Sequence, residues 1–190
     1  MMDSIKKILF TGSLNDEYLS DLVADLSETI DEHKLELFSY SNSNNQNQLL
    51  NVKPLIKSDV CKMDLIVSIG GDGTMLKSSK LASNHNVPIT GINKGRLGFL
   101  TDINPELVSD ALKEIIQGDY QIESRMLLDV KISNGNEERF IGHAVNDLVI
   151  NKTKTGRMIN VQTSINETYV NSNEGDGYIV STPTGSTAYS

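Results

Sequence analysis

The amino-acid sequence predicts an α/β domain, a parallel sheet flanked by helices, followed by an all-β domain of sandwich type. Three observations carry that prediction. Short apolar runs alternate with stretches of helical period as far as Gly118. A glycine cluster, Gly70-Gly71-Asp72-Gly73, stands where one of those runs hands over to a helix. Beyond Gly118 the helical period disappears, and β-prone runs divided by turn residues replace it. The domains are therefore expected at residues 1–118 and 119–190.

Each element has a local reason. Ile5 to Phe10 is an apolar strand. Leu19, Leu22, Val23, Leu26 and Ile30 then recur at helical spacing, with Asp16 and Glu17 early in the helix, where its dipole favours negative charge. Lys34 to Phe38 reads as a second strand, and the polar stretch Ser39 to Asn51 as a solvated connection. Leu65 to Ile69 is apolar without alternation, as a strand buried on both faces must be. A helix is expected from Thr74 to Ala82 and a strand from Val87 to Ile92. Asn104-Pro105 opens a helix bearing Leu107, Val108, Ala111, Leu112, Ile115 and Ile116, and Gly118 stops it. Beyond it, strands are expected at Met126–Ser133, Phe140–Ile150, Met158–Ile165, Glu167–Val170 and Tyr178–Val180, with Asn134-Gly135 as a hairpin turn.

Composition narrows the function. The chain has 190 residues, enough to bury a real core, and no apolar run approaches the roughly 20 residues that span a bilayer. The N-terminus has a short strand-like stretch, Ile5 to Phe10, followed by a glycine turn, which is not a secretory signal. A single cysteine, Cys61, excludes a disulfide framework and suits a reducing, cytoplasmic setting; it reads as a small buried hydrophobe. His33, His85 and His143 lie far apart with no ligand spacing, so no metal site is read into them. With 25 acidic against 17 basic residues, net charge −8, the chain is a poor match for nucleic acid or an anionic membrane. A phosphate ligand would have to be held locally, by backbone amides and a few placed cations.

Four segments are candidates for that task. In Gly70 to Thr74, GGDGT, the glycines let main chain approach a phosphate, and the helix start adds N–H groups and a positive dipole end. Asp72 is out of place beside phosphate; it either meets a hydroxyl, taking its proton or orienting it, or caps the helix. The spacing matches neither a Walker loop nor the GxGxxG fingerprint. Asn93 to Leu100, NKGRLGFL, is an anion-lined loop or a solvated turn. Asn146-Asp147 within HAVNDLVIN is a ligand site or a buried hydrogen-bond pair. Asp176-Gly177 and the run from Ser181 to Tyr189, STPTGSTAY, are rich in hydroxyl and amide donors, as a binding loop or a plain linker would be. Of the basic residues Lys152, Lys154 and Arg157, the lysines are expected in solvent, and Arg157 is a candidate phosphate contact.

GGDGT, NKGRLGFLTDI, HAVND and DGYIVSTPTGSTAYS, in this order, resemble the NAD kinase family in its bacterial form, and the resemblance runs along essentially the whole chain. GGDGT alone also resembles the loop of diacylglycerol and sphingosine lipid kinases; the other three segments are far more specific. The resemblance implies an enzyme that moves a phosphoryl group from ATP to the 2′-hydroxyl of the adenosine ribose of NAD, with a divalent ion, Mg²⁺, as cofactor. It implies homodimers or homotetramers, with the substrate between an α/β domain and a β-sandwich. Asp72 would be the proton acceptor, with Gly73 beside it on NAD. Gly70, Gly71, Gly73 and Thr74 would form the phosphate-donor loop. Phe99, Asn146, Asp147, Arg157, Glu174, Asp176, Thr187, Ala188, Tyr189 and Ser190 would line the dinucleotide, although relatives often carry a basic residue where Glu174 stands.

Two competing classes remain open on sequence. A lipid kinase would need a membrane-facing apolar or basic patch, and this acidic chain with 5% aromatic residues shows none. A non-catalytic dinucleotide-binding fragment is the other. Relatives continue past the STAYS run with further sandwich strands, so the second domain is expected to be only the N-terminal portion of one.

Overall fold

The parallel sheet follows from which residues the chain cannot leave in water. The computed structural model describes residues 4–12, 16–39, 52–94, 98, 100–101, 103–135, 137–153 and 156–186. They fall into two units, Met1–Glu123 and Ser124–Ser190. Gly118 does end the last helix, in a left-handed conformation, but Tyr120 packs back on the first core, so the division lies five residues beyond the expected one.

In the first unit the strands β1 (Lys7–Gly12), β2 (Glu36–Ser39), β3 (Val52–Pro54), β4 (Leu65–Ile69) and β5 (Ile89–Ile92) form one sheet in the order β3-β2-β1-β4-β5. All its pairings are parallel. The chain winds outward from β1 one way, then crosses back and continues from β4, so the order reverses between β1 and β4. Ligands of open parallel sheets bind at the carboxyl ends of strands flanking such a reversal. Gly12 and Ile69 are register partners at those ends, and Gly70 follows immediately.

Helices cover both faces. Ile8 and Phe10 of β1, with Leu65, Val67 and Ile69 of β4, pack on helices α1 (Asp16–Asp25), α2 (Ser27–His33) and α4 (Val108–Gln117). The alternate residues Leu9 and Ile66 face the other way, towards α3 (Asp72–His85), with Val60, Met63, Ala82 and Val87. Every residue of β4 is buried, as its unbroken apolar run requires. On the α3 face the strands also present hydroxyls: Ser78 Oγ of α3 lies 2.8 Å from Thr11 Oγ1 and accepts from Ser68 Oγ at 2.9 Å, all three residues being buried.

Several boundaries differ from the sequence reading. The first helix is two, joined at Leu26. Lys34 is the left-handed residue that ends α2, so β2 starts two residues later than expected. The short edge strand β3 carries no pattern in sequence; residues 40–51 of the polar stretch before it lie outside the described residues. Asn104 accepts from the Glu106 N–H and Pro105 follows it, as read, but the first turn is 3₁₀ before α4 begins. Cys61 is exposed rather than buried, because Val60 takes the inward position of its 3₁₀ turn, Lys57–Lys62.

The second unit consists of three antiparallel ladders. β6 (Leu128–Asn134) pairs with β7 (Glu137–Ala144), β9 (Ile159–Ile165) with β10 (Thr168–Gly175), and β8 (Asp147–Asn151) with β11 (Gly177–Ser181). The β9–β10 turn is Asn166-Glu167, both at positive φ, 48° and 67°, the twist that a tight hairpin requires. Among the described residues every buried hydrophobic side chain lies at or before Ile116. Ile132, Phe140, Ile150, Ile165, Tyr169 and Ile179 of the second unit are all exposed. Two-stranded ladders have no second layer to bury such side chains against. No helix among the described residues is long and apolar enough to cross a membrane.

Candidate functional site

The GGDGT residues divide into packing and open surface. Gly70 follows β4 at φ 153°, and its N–H donates to the Ile92 carbonyl at 2.9 Å. A Cβ on Gly70 would stand 2.6 Å from Thr74 Oγ1, and one on Gly12 would stand 2.7 Å from Thr74 Cγ2. Gly12 and Gly70 therefore make the hollow that Thr74 fills, and Thr74 clamps the start of α3 on the ends of β1 and β4. Gly71 and Gly73 are different: both are exposed, and a Cβ on either would meet nothing within 4 Å. Their bareness leaves main chain open at the N-terminus of a 14-residue helix, a place that suits an anion.

Asp72 is the first residue of α3, which starts two residues before the expected Thr74. The cap position belongs to Gly71 in extended conformation. The half-buried Asp72 carboxylate instead accepts from the Leu100 N–H, 28 residues away, at 3.1 Å. The loop after β5 brings Leu100 there because the chain returns: Ile103 bridges Ile92 in parallel, and the Asn93 N–H donates to the Ile103 carbonyl at 2.9 Å. Asn93 is buried, and the Lys94 ammonium lies 5.3 Å from the centre of the Tyr18 ring. Burial pushes the Tyr18 phenol above its ordinary range. Gly95, Arg96, Leu97 and Phe99 lie outside the described residues.

In the second unit, HAVND is not one strand. β7 ends at Ala144 and β8 begins at Asp147, because the carbonyls between them turn to Thr182. Thr182 Oγ1 donates to the Val145 carbonyl at 2.6 Å and lies 3.1 Å from the Asn146 carbonyl, while the Thr182 N–H donates to the latter at 2.8 Å. The Gly185 N–H donates to Thr182 Oγ1 at 3.1 Å, and a Cβ on Gly185 would run into the Asn146 main chain. The STPTGS loop is thereby latched on Asn146. Asn146 Oδ1 is buried and has no hydrogen-bond partner among the described residues. Asp147 opens β8 opposite Ser181.

The remaining expected residues are more exposed. The Asp176 carboxylate is ion-paired with Lys152 at 2.7 Å, so Lys152 is not a merely solvated lysine, whereas Arg157 is exposed. Glu174 accepts from Asn160 Nδ2 at 3.4 Å. Thr187, Ala188, Tyr189 and Ser190 lie outside the described residues. Sequence reading did not single out Gly98, the Leu100 amide, Lys152 or Thr182 as functional. Thr182 and Gly98 stood within flagged segments, but no local pattern tells a glycine that yields space from one that turns the chain.

Comparison with known proteins agrees with this layout. The family model described as ATP-NAD kinase N-terminal domain matches residues 16–120, and that of the ATP-NAD kinase C-terminal domain matches residues 145–190. An NAD kinase of Pseudomonas aeruginosa (strain LESB58) is 45% identical over 134 residues, 70% of this chain and 45% of that protein. The chain thus spans about half the length of the curated relatives it matches. Among solved structures, yeast NADH kinase complexed with NADH superposes with a TM-score of 0.83 at 22% identity, covering 98% of this chain and 60% of that one. An NAD kinase from Archaeoglobus fulgidus in complex with ATP gives 0.67 at 23% identity, covering 96% and 63%. At such identities the likeness is one of fold.

Proposed function

Because this chain belongs to the ATP-NAD kinase family, we propose that it transfers the γ-phosphoryl group of ATP to the 2′-hydroxyl of the adenosine ribose of NAD, giving NADP and ADP. The observation that carries the reading is Asp72: a carboxylate held by the Leu100 N–H at the start of α3, between two glycines that leave the main chain open. Such a carboxylate is repelled by phosphate and matched to a hydroxyl. In the transfer, the ribose oxygen forms a bond to the γ-phosphorus as the bond from that phosphorus to the bridging oxygen of ADP breaks. Asp72 takes the hydroxyl proton. Phosphoryl transfer needs little more than positioning and charge stabilisation, which the open main chain of Gly71 and Gly73 at the helix start supplies. Asn146 Oδ1, without a partner among the described residues, is read as an acceptor for a donor group of the dinucleotide, with Asp147 next to it in sequence. Asp176, Glu174, Arg157, Phe99 and residues 187–190 complete the dinucleotide-binding set on this reading.

Among the described residues no three His, Cys, Asp or Glu side chains converge as a metal cage. On this reading a divalent ion such as Mg²⁺ would enter with the nucleotide's phosphates. Bound there, it neutralises phosphate charge. The protein is further read as a cytoplasmic homodimer or homotetramer, with the second unit part of a sandwich-type NAD-binding domain.

NADP formation from NAD, ATP and Mg²⁺ tests the reading, beside an Asp72→Asn control. Removal of the base is expected to cost about 10²–10⁴-fold in rate. Equal turnover in both chains would sink the role of Asp72. A second reading, NAD binding without turnover, is favoured by the exposed apolar side chains of the second unit. It predicts a calorimetric NAD isotherm and no NADP.

A further inference from the structure

We infer that Gly98, together with the main-chain N–H of Leu100, positions Asp72 for its task; the inference rests on the proton-accepting role proposed for that carboxylate. Two contacts from one loop converge on the same group. The Leu100 N–H donates to Oδ1 at 3.1 Å. A Cβ on Gly98 would stand 2.7 Å from Asp72 Cγ and 2.9 Å from Oδ2, and closer still to Oδ1. The three atoms nearest that Cβ all belong to the carboxylate.

The Asp72 carboxylate occupies the space that a side chain at Gly98 would take. Gly98 thus forms a wall against which the carboxylate rests, and the Leu100 N–H fixes its rotation. A base must lie within hydrogen-bond reach of the proton it removes. The wall and the Leu100 N–H together restrict the orientations that the carboxylate can take.

The same geometry makes the cost of a methyl group lopsided. At Gly98→Ala the colliding atoms are the end of a side chain, which can swing aside. The main chain need not move, while the carboxylate leaves its place and the Leu100 N–H loses its acceptor. A displacement of about 1 Å at a reacting group costs about 10²-fold in rate.

The test compares wild type, Asp72→Asn, Gly98→Ala and the double variant in NADP formation, with the Leu100 amide followed by ¹⁵N–¹H spectroscopy. Gly98→Ala is expected to lower kcat about 10²-fold, leaving KM for NAD and for ATP within about threefold. The double variant should fall no more than about threefold below Asp72→Asn, since both changes act through one carboxylate. The Leu100 amide resonance should move in Gly98→Ala and in Asp72→Asn alike, a readout that needs no turnover. Full turnover by Asp72→Asn would overturn the role of Asp72 itself. Full turnover by Gly98→Ala beside an impaired Asp72→Asn would overturn the positioning alone, and so would a Leu100 resonance that stays put in Gly98→Ala.

Discussion

Ser78 is the hub of the buried hydroxyls that dock α3 on the sheet, and its replacement by alanine is expected to cost more than its size suggests. Ser68 Oγ donates to Ser78 Oγ at 2.9 Å, and Thr11 Oγ1 lies 2.8 Å from the same atom. Ser68 is 1% exposed and Thr11 and Ser78 are 5% exposed, so water cannot replace a lost partner at the surface. Ser78→Ala therefore orphans two hydroxyls at once. Each buried group left unsatisfied costs about 1–3 kcal/mol, giving about 2–6 kcal/mol for the pair. Ser68→Ala leaves the Thr11–Ser78 bond intact and should cost only about 1 kcal/mol. The triple change Thr11→Val, Ser68→Ala, Ser78→Ala removes all the polar groups together and should return close to wild-type stability. Urea unfolding followed by helix ellipticity measures this; with a slope of about 2 kcal/mol per molar, Ser78→Ala moves the midpoint by about 1–3 M. A loss under about 0.5 kcal/mol for Ser78→Ala, or a triple variant less stable than the single one, would refute the hub.

Three further outcomes follow from the same contacts. Gly70→Ala forces a Cβ to within 2.6 Å of Thr74 Oγ1 at a φ of 153°, and should destabilise by about 2 kcal/mol in thermal unfolding, whereas Gly71→Ala, with nothing within 4 Å, should be nearly silent there. Thr182→Val keeps the shape of the STPTGS latch but strands the Gly185 N–H and the Val145 carbonyl; calorimetry should show NAD binding about tenfold weaker, and unchanged binding would remove the latch from the site. Burial raises the Tyr18 phenol above its ordinary 10.0, so the unfolded chain loses that proton first as pH rises. Stability should then be flat below the unfolded value and decline above it, and Tyr18→Phe should remove that part of the alkaline slope.

What the sequence carried was local. Unbroken apolar runs such as Leu65–Ile69 and the helical recurrence of Val108, Leu112 and Ile116 follow from the periods of strand and helix, and the structure bears both out. The first-unit segment GGDGT at a strand end was legible for the same reason: the residues adjoin, and their types imply an anion and a hydroxyl. The second unit was legible as β structure, but one long expected strand, Phe140–Ile150, is broken after Ala144. The cause, Thr182, lies 36 residues from the carbonyl it diverts, beyond any periodic signal.

The sequence by itself determined the alternating α/β order, the switch to strands, the four segments and the family they resemble, because those depend on neighbouring residues. Only the tertiary structure decided the division of labour inside them. It made Gly70 a seat for Thr74 while Gly71 and Gly73 stay open, and it joined three hydroxyls from β1, β4 and α3. It also brought Leu100 and Gly98 against Asp72. Each of these is a contact between residues held together by the reversal of strand order or by a returning loop, and a side chain's partners across such distances are set by where the sheet ends, not by what stands beside it in the chain.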